Sequence, residues 1–122
     1  MPNRTEAPVI VELRLLETTD VHGQILPIDY LTRGRDSSAG LARTATLIKQ
    51  ARREAENCLL FDTGDFLQGA PLIDATGQTD SGWTGPNPAI EAMNALAYDA
   101  VGLGNHEFNF GGDWLLETLS SA

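Results

Sequence analysis

Three short apolar runs, each halted by a turn that carries Asp, His or Asn, constrain this chain more than any other feature. The first covers residues 9–19, Val-Ile-Val-Glu-Leu-Arg-Leu-Leu-Glu-Thr-Thr, and leads into Asp20-Val21-His22-Gly23. The second, Cys58-Leu59-Leu60-Phe61, stops at Asp62-Thr63-Gly64-Asp65, and the third, Ala100-Val101-Gly102-Leu103, stops at Gly104-Asn105-His106-Glu107. Apolar and β-branched runs bounded in this way predict buried strands, the first ending at about Asp20.

Between the runs the period changes. Leu41, Ala45, Ile48 and Ala55 recur at roughly helical spacing across residues 40–57, with Arg43, Lys49, Arg52, Arg53 and Glu54 mostly on other faces, which predicts an amphipathic helix. Asn87-Pro88 supplies an N-cap followed by proline at the first helical position, ahead of a stripe of Ile90, Met93 and Ala97. A last helix is expected from Gly112 to Leu119, with Asp113 near its positive end and Trp114, Leu115 and Leu119 packing inward. Residues 67–86 are rich in Gly, Thr, Asp and Ser and read as a long loop.

Strand, helix, strand, helix, strand, helix is the order of an α/β layer fold with parallel neighbours joined by right-handed crossovers. All three polar turns then fall at the carboxyl ends of strands, the edge where open α/β sheets bind ligands. A length of 122 residues fits one domain with a core of its own, expected over residues 9–122 behind a disordered polar tail at residues 1–8.

Charge decides which ligands suit that edge. Eight basic against seventeen acidic residues give a net charge of −9, a field that repels nucleic acid polymers and anionic lipid. A small phosphate ester remains admissible where a bound cation reverses the local sign, and clustered carboxylates hold such cations. No run approaches 18 apolar residues, so no membrane span is expected. The single cysteine, Cys58, sits in an apolar strand and reads as an inert core thiol; it excludes both an intrachain disulfide and a cysteine-rich zinc site.

Each turn alone has a plain explanation. Asp20 and His22 read as a cap or surface pair, Asp65 as the cap of the next segment, and His106 as a half-buried, hydrogen-bonded residue opening a helix. Each also has a chemical one. Asp20 and His22, two apart in an extended segment, point the same way and can share a cation. Asp65 in Gly64-Asp65-x-x-Gln68-Gly69 can bridge two ions, with Gly64 allowing a close turn; Asp62 competes, but lies within the strand. Gly104-Asn105-His106-Glu107 exposes an amide oxygen, an imidazole and a carboxylate, of which Asn105 suits a hard divalent ion and His106 suits acid catalysis or hydrogen-bond donation to a phosphate. His106-Glu107 is not a zinc-protease helix, because Phe110 stands where the second histidine is required.

The three turns in this order resemble the calcineurin-like metallophosphoesterases, in the 5'-nucleotidase branch. The words around them, Leu15-Leu16-Glu17-Thr18-Thr19-Asp20-x-His22, Gly40-Leu41-Ala42-Arg43-Thr44-Ala45, Asp65-x-x-Gln68-Gly69-x-Pro71-Leu72 and Gly104-Asn105-His106-Glu107-Phe108-Asn109-Phe110-Gly111, are most similar to bacterial 2',3'-cyclic-nucleotide 2'-phosphodiesterase/3'-nucleotidases. The likeness runs from about Leu13 onward and implies the N-terminal part of a four-layer α/β/β/α sandwich. It implies two divalent ions, of manganese, zinc, iron or cobalt, with Asp20 and His22 on the first, Asp65 bridging, and Asn105 on the second. Asn105 and His106 would contact substrate, and Asn109 would orient His106 in place of the Asp that many 5'-nucleotidases carry there.

The implied reaction is hydrolysis of 2',3'-cyclic nucleotides and 3'-nucleotides, in a periplasmic or extracellular setting. A 5'-nucleotidase, a sugar-nucleotide hydrolase and a non-catalytic α/β interaction module are the alternatives. The family also has metal-binding histidines further downstream, whereas both histidines of this chain, His22 and His106, are already assigned. The resemblance therefore implies a fragment with little activity alone, and one that self-associates through a sheet face left uncovered.

Overall fold

The computed structural model describes residues 9–78 and 80–122, so the expected disordered tail at residues 1–8 lies outside the described residues. Three parallel strands form one sheet in the order β1 (Arg14–Thr18), β2 (Cys58–Asp62), β3 (Ala100–Val101). Helix α1 (Leu41–Arg53) connects β1 to β2. Helices α2 (Pro71–Gly77) and α3 (Pro88–Ala95) lie between β2 and β3, and a short 3₁₀ turn (His106–Phe108) precedes α4 (Gly112–Leu119). The α/β class and parallel sheet are those expected from the alternation of patterns.

Pairing sets the strand bounds. Register places Arg14 opposite Cys58 and Thr18 opposite Asp62, so Val9 to Leu13 have strand-forming side chains and no β2 residue to pair with. They are exposed, Val9 at 89% and Ile10 at 85%, and the predicted strand is shorter than its sequence suggests. Helix α1 stops at Arg53 instead of continuing to Asn57 because the chain must turn back to start β2. Arg14 fixes that corner by donating to the Ala51 carbonyl at 2.8 Å. Likewise β3 keeps two residues, since β2 ends at Asp62 and Gly102 N–H already donates to the Asp62 carbonyl.

The core has two parts. Leu41 and Ile48 of α1 pack on Leu60 and Leu96, while Phe66, Leu67, Ile73, Ala89, Ile90, Met93 and Leu115 make the larger cluster. Phe66, Leu67 and Ile73 are fully buried, so the expected long loop over residues 67–86 is corrected: it contains α2. Pro71 stands at the start of that helix, where its missing N–H costs nothing, and Leu72 and Ile73 turn inward. Asn87 caps α3 as expected, accepting from Ala89 N–H at 2.9 Å, but Ala97 falls beyond the helix in a left-handed conformation and Leu96 fills the buried position. On the sheet face away from Leu60, Leu15 remains 62% exposed.

Candidate functional site

The carboxyl ends of β1 and β2 and the turn after β3 meet at one edge, and there the chain departs from ordinary backbone. Asp20, His22 and Asp65 all have positive φ, at 51°, 47° and 61°, alongside only Arg33 and Ala97 among the non-glycine described residues. Left-handed backbone costs energy and persists where surrounding structure enforces it, often at functional sites, although Asp and His tolerate it better than most residues. Here the enforcement is backbone pairing between turns: Asp20 N–H donates to the Gly64 carbonyl at 3.1 Å and His22 N–H to the Asp65 carbonyl at 2.8 Å. The expected extended Asp20-to-His22 segment is thus a left-handed turn, yet it still brings the pair together, with His22 Nε2 3.6 Å from Asp20 Oδ1.

Two glycines allow the turns to touch. Gly64 has φ of 112°, and a Cβ there would lie 2.4 Å from the Gly104 nitrogen; a Cβ on Gly104 would lie 2.3 Å from Asp65 Oδ1. Any side chain at either position would push the β2 and β3 turns apart. As placed, Asp65 Oδ1 accepts from His106 N–H at 2.9 Å.

His22, Asp65 and His106 offer ligand atoms within 4.8 Å of one another, and the two imidazoles stack edge to face with centroids 5.1 Å apart. His22 Nδ1 lies 2.9 Å from the Gln68 carbonyl. A carbonyl only accepts, so Nδ1 carries the proton and Nε2, the nitrogen beside Asp20, keeps its lone pair, the usual arrangement of a metal-binding histidine. The His22 imidazole with the Asp20 and Asp65 carboxylates fits a divalent cation of intermediate hardness, and His106 stands beside them. Asn105 occupies the same turn, exposed and without capping the 3₁₀ turn that follows. Asn109 reaches His106, its Nδ2 lying 2.9 Å from His106 Nδ1.

Glu107 differs from expectation. Its carboxylate is not exposed at the edge but fully buried, and it accepts four backbone N–H groups: Gly104 at 2.6 Å, Asp65 at 2.8 Å, Phe66 at 2.6 Å and Leu67 at 3.0 Å. It clamps the turn after β3 to the turn after β2. The one legible signal was that Glu107 is the single acidic side chain between Gly104 and Gly111.

Asp62, the competing carboxylate, is committed elsewhere. It is buried, takes the Thr18 hydroxyl hydrogen at 2.5 Å and the Gly64 N–H at 2.9 Å, and Thr18 in turn accepts from Tyr98 OH at 2.8 Å. Burial raises the Asp62 carboxyl above the usual value, and the negative charges of Glu107 and Asp20 add to this against the hydrogen bonds from Thr18 and Gly64. Burial likewise raises the Tyr98 phenol. A large cleft, about 1020 Å³, lies at the opposite end of the strands between residues 10–14 and 54–57, and among the described residues no cluster of ligand atoms faces it.

The fold that carries this edge is similar to the solved calcineurin-like phosphoesterase YfkN of Bacillus subtilis, with TM-score 0.81 and 42% identity over 92% of this chain and 35% of that one. The chain is homologous to the N-terminal part of calcineurin-like phosphoesterases. Within that class its relatives are nucleotidases. It is 42% identical to a 2',3'-cyclic-nucleotide 2'-phosphodiesterase/3'-nucleotidase of Yersinia enterocolitica, over 97% of this chain and 18% of the relative. It is 36% identical to a 5'-nucleotidase of Bos taurus, over 88% of this chain and 18% of that protein. The chain thus spans less than a fifth of the length of these curated relatives. No family model matches it.

Proposed function

We propose that these residues form part of the phosphate-ester site of a metal-dependent nucleotide phosphoesterase, acting on 2',3'-cyclic nucleotides and 3'-nucleotides. The observation that carries this reading is the meeting of His22, Asp65 and His106 within 4.8 Å at the carboxyl edge of the sheet, next to Asp20. Identity above 40% to a cyclic-nucleotide phosphodiesterase/3'-nucleotidase supports the substrate class, and a periplasmic or extracellular setting goes with it.

Asp20, His22 and Asp65 would hold one divalent ion, of manganese, zinc, iron or cobalt, and Asp65 with Asn105 a second. When bound, such ions supply the positive charge that a phosphoryl group requires and that a chain of net charge −9 otherwise lacks. Asp65 is held for this at two points: its backbone N–H donates to Glu107 and its Oδ1 accepts from His106 N–H. His106, with Nδ1 engaged by Asn109, keeps Nε2 for a phosphoryl or leaving oxygen, and Asn105 lies beside it to contact substrate. Asn at position 109 holds the ring without stabilising its cation as a carboxylate would, which favours the cyclic-phosphodiesterase/3'-nucleotidase reading over a plain 5'-nucleotidase.

The donors divide unevenly, three on one ion and two on the other, so the second ion binds weakly and these 122 residues by themselves hydrolyse slowly. Binding of 2',3'-cyclic AMP and 5'-AMP, followed by phosphorus NMR with and without manganese, tests the reading. Manganese-dependent binding of the cyclic ester, weakened in His106→Ala and stronger than that of the 5' ester, is expected. Absence of any manganese-dependent binding would refute it. Hydrolysis of bis(4-nitrophenyl) phosphate by these residues at an enzyme-like rate, abolished by chelator, would refute the uneven donor count.

A further inference from the structure

Gln68 makes contacts that the function as proposed leaves unused. Its backbone carbonyl takes the His22 Nδ1 proton at 2.9 Å, and its side-chain Oε1 accepts from Asn109 Nδ2 at 3.0 Å. The same Asn109 nitrogen lies 2.9 Å from His106 Nδ1. An amide nitrogen has two hydrogens and accepts nothing. With one hydrogen on Gln68 Oε1 and the other on the imidazole, His106 Nδ1 is the acceptor and the ring proton resides on Nε2. His22, facing a carbonyl, has the reverse arrangement.

Two histidines 5.1 Å apart are therefore sorted into opposite tautomers through one residue. We propose that Gln68 is a positioning residue that makes His22 Nε2 a lone-pair ligand for a cation and His106 Nε2–H a hydrogen-bond donor to a phosphoryl oxygen. The two roles rest on the phosphoesterase reading; the tautomers do not. As placed, Gln68 Oε1 takes one Asn109 hydrogen and turns the other to the ring; an Asn109 oxygen there would set two acceptors 3.0 Å apart unless the Gln68 amide reversed with it.

The loop that carries Gln68 is seated tightly enough to do this. Gly69, at φ of 133°, lies so close that a Cβ would stand 3.0 Å from His22 Cβ. Ala70 N–H donates to the His22 carbonyl at 2.7 Å, and Gly69 N–H to Asp74 Oδ1 at 2.8 Å. The backbone carbonyl that fixes His22 and the side chain that orients Asn109 thus belong to one braced segment.

The chain has two histidines, so nitrogen-15 spectra of the metal-free protein resolve both rings. At a pH about two units above the ordinary histidine value, two-bond nitrogen–proton correlations report each tautomer. His22 is expected as Nδ1–H and His106 as Nε2–H, with a coupling across the hydrogen bond from Asn109 Nδ2 to His106 Nδ1. Gln68→Ala should abolish that coupling while leaving His22 unchanged, because the carbonyl remains. Gln68→Glu, which retains an acceptor, should keep it. Asn109→Asp, which can only accept, should convert His106 to Nδ1–H.

His106 as Nδ1–H in the wild type would overturn the proposal, since both amides would then be reversed; so would a coupling that survives in Gln68→Ala. Manganese calorimetry on the same samples separates the two readings. Predicted tautomers without manganese binding would remove the phosphoesterase reading and leave the sorting by Gln68 intact, whereas manganese binding with both histidines in one tautomer would do the opposite.

Discussion

Replacing Glu107 with Gln tests whether the two turns are held together by a buried carboxylate. Glu107→Gln changes one atom and almost no volume. The carboxylate accepts two N–H groups on each oxygen, from Phe66 and Leu67 on Oε1 and from Asp65 and Gly104 on Oε2. An amide keeps one acceptor and presents an NH2 to the other pair, leaving two backbone donors facing a third. Each unsatisfied buried donor costs about 1–3 kcal/mol, giving about 2–6 kcal/mol, from which relief of a buried charge subtracts a part. A net loss of about 2–4 kcal/mol is a large share of the roughly 6–18 kcal/mol expected of a domain this size.

Urea unfolding followed by circular dichroism measures it directly, with the midpoint falling at unchanged slope. The same variant should bind manganese more weakly, since the turn that carries Asp65 loses part of its brace whichever pair the NH2 faces. A Glu107→Gln protein within about 0.5 kcal/mol of wild type, a change typical of an unimportant surface position, would show that the clamp is not what holds the site.

Other expectations follow from the same contacts. The raised carboxyl of Asp62 means the folded state holds that proton more tightly than the unfolded chain, so its contribution to stability is full below the ordinary value of 3.8 and is lost as pH rises through the raised value. Thermal unfolding from pH 3 upward should show wild type losing stability relative to Asp62→Asn over that window, and a constant difference would contradict the assignment. Ile73→Ala, in the segment whose sequence reads as loop, should cost about 2–5 kcal/mol by chemical denaturation, a core-sized loss that an exposed loop position would not show. Asn87→Ala removes both the cap on Ala89 N–H and the 3.0 Å bond to Thr76 Oγ1, and should cost about 1–2 kcal/mol in the same assay.

Local chemistry made some of this legible in the sequence and hid the rest. Asn87-Pro88 announces α3 because cap and proline act within one turn, and the Asp, His and Asn turns announce the site because parallel topology sends every strand end to one edge. Val9 to Leu13 read as strand and are not, because pairing depends on where β2 begins, a fact about residues some 45 positions away. Helix α2 escapes notice because Pro71-Leu72-Ile73 is too short a pattern until the core is present to receive it. Glu107 looks like one more exposed ligand, since its partners are backbone amides whose positions no side-chain pattern encodes. The left-handed conformations of Asp20, His22 and Asp65 are equally silent, though Gly23, Gly64 and Gly69 beside them mark sharply turning chain.

The claim on which the rest depends is that the strand-end turns form a cation site. Calorimetric titration of the chain with manganese measures this most directly, on wild type and on Asp65→Ala. A saturable heat in wild type, abolished by the substitution, is the predicted result. No heat from wild type at millimolar manganese, or equal heats from both proteins, would contradict it and leave a non-catalytic α/β interaction module as the better description of these residues.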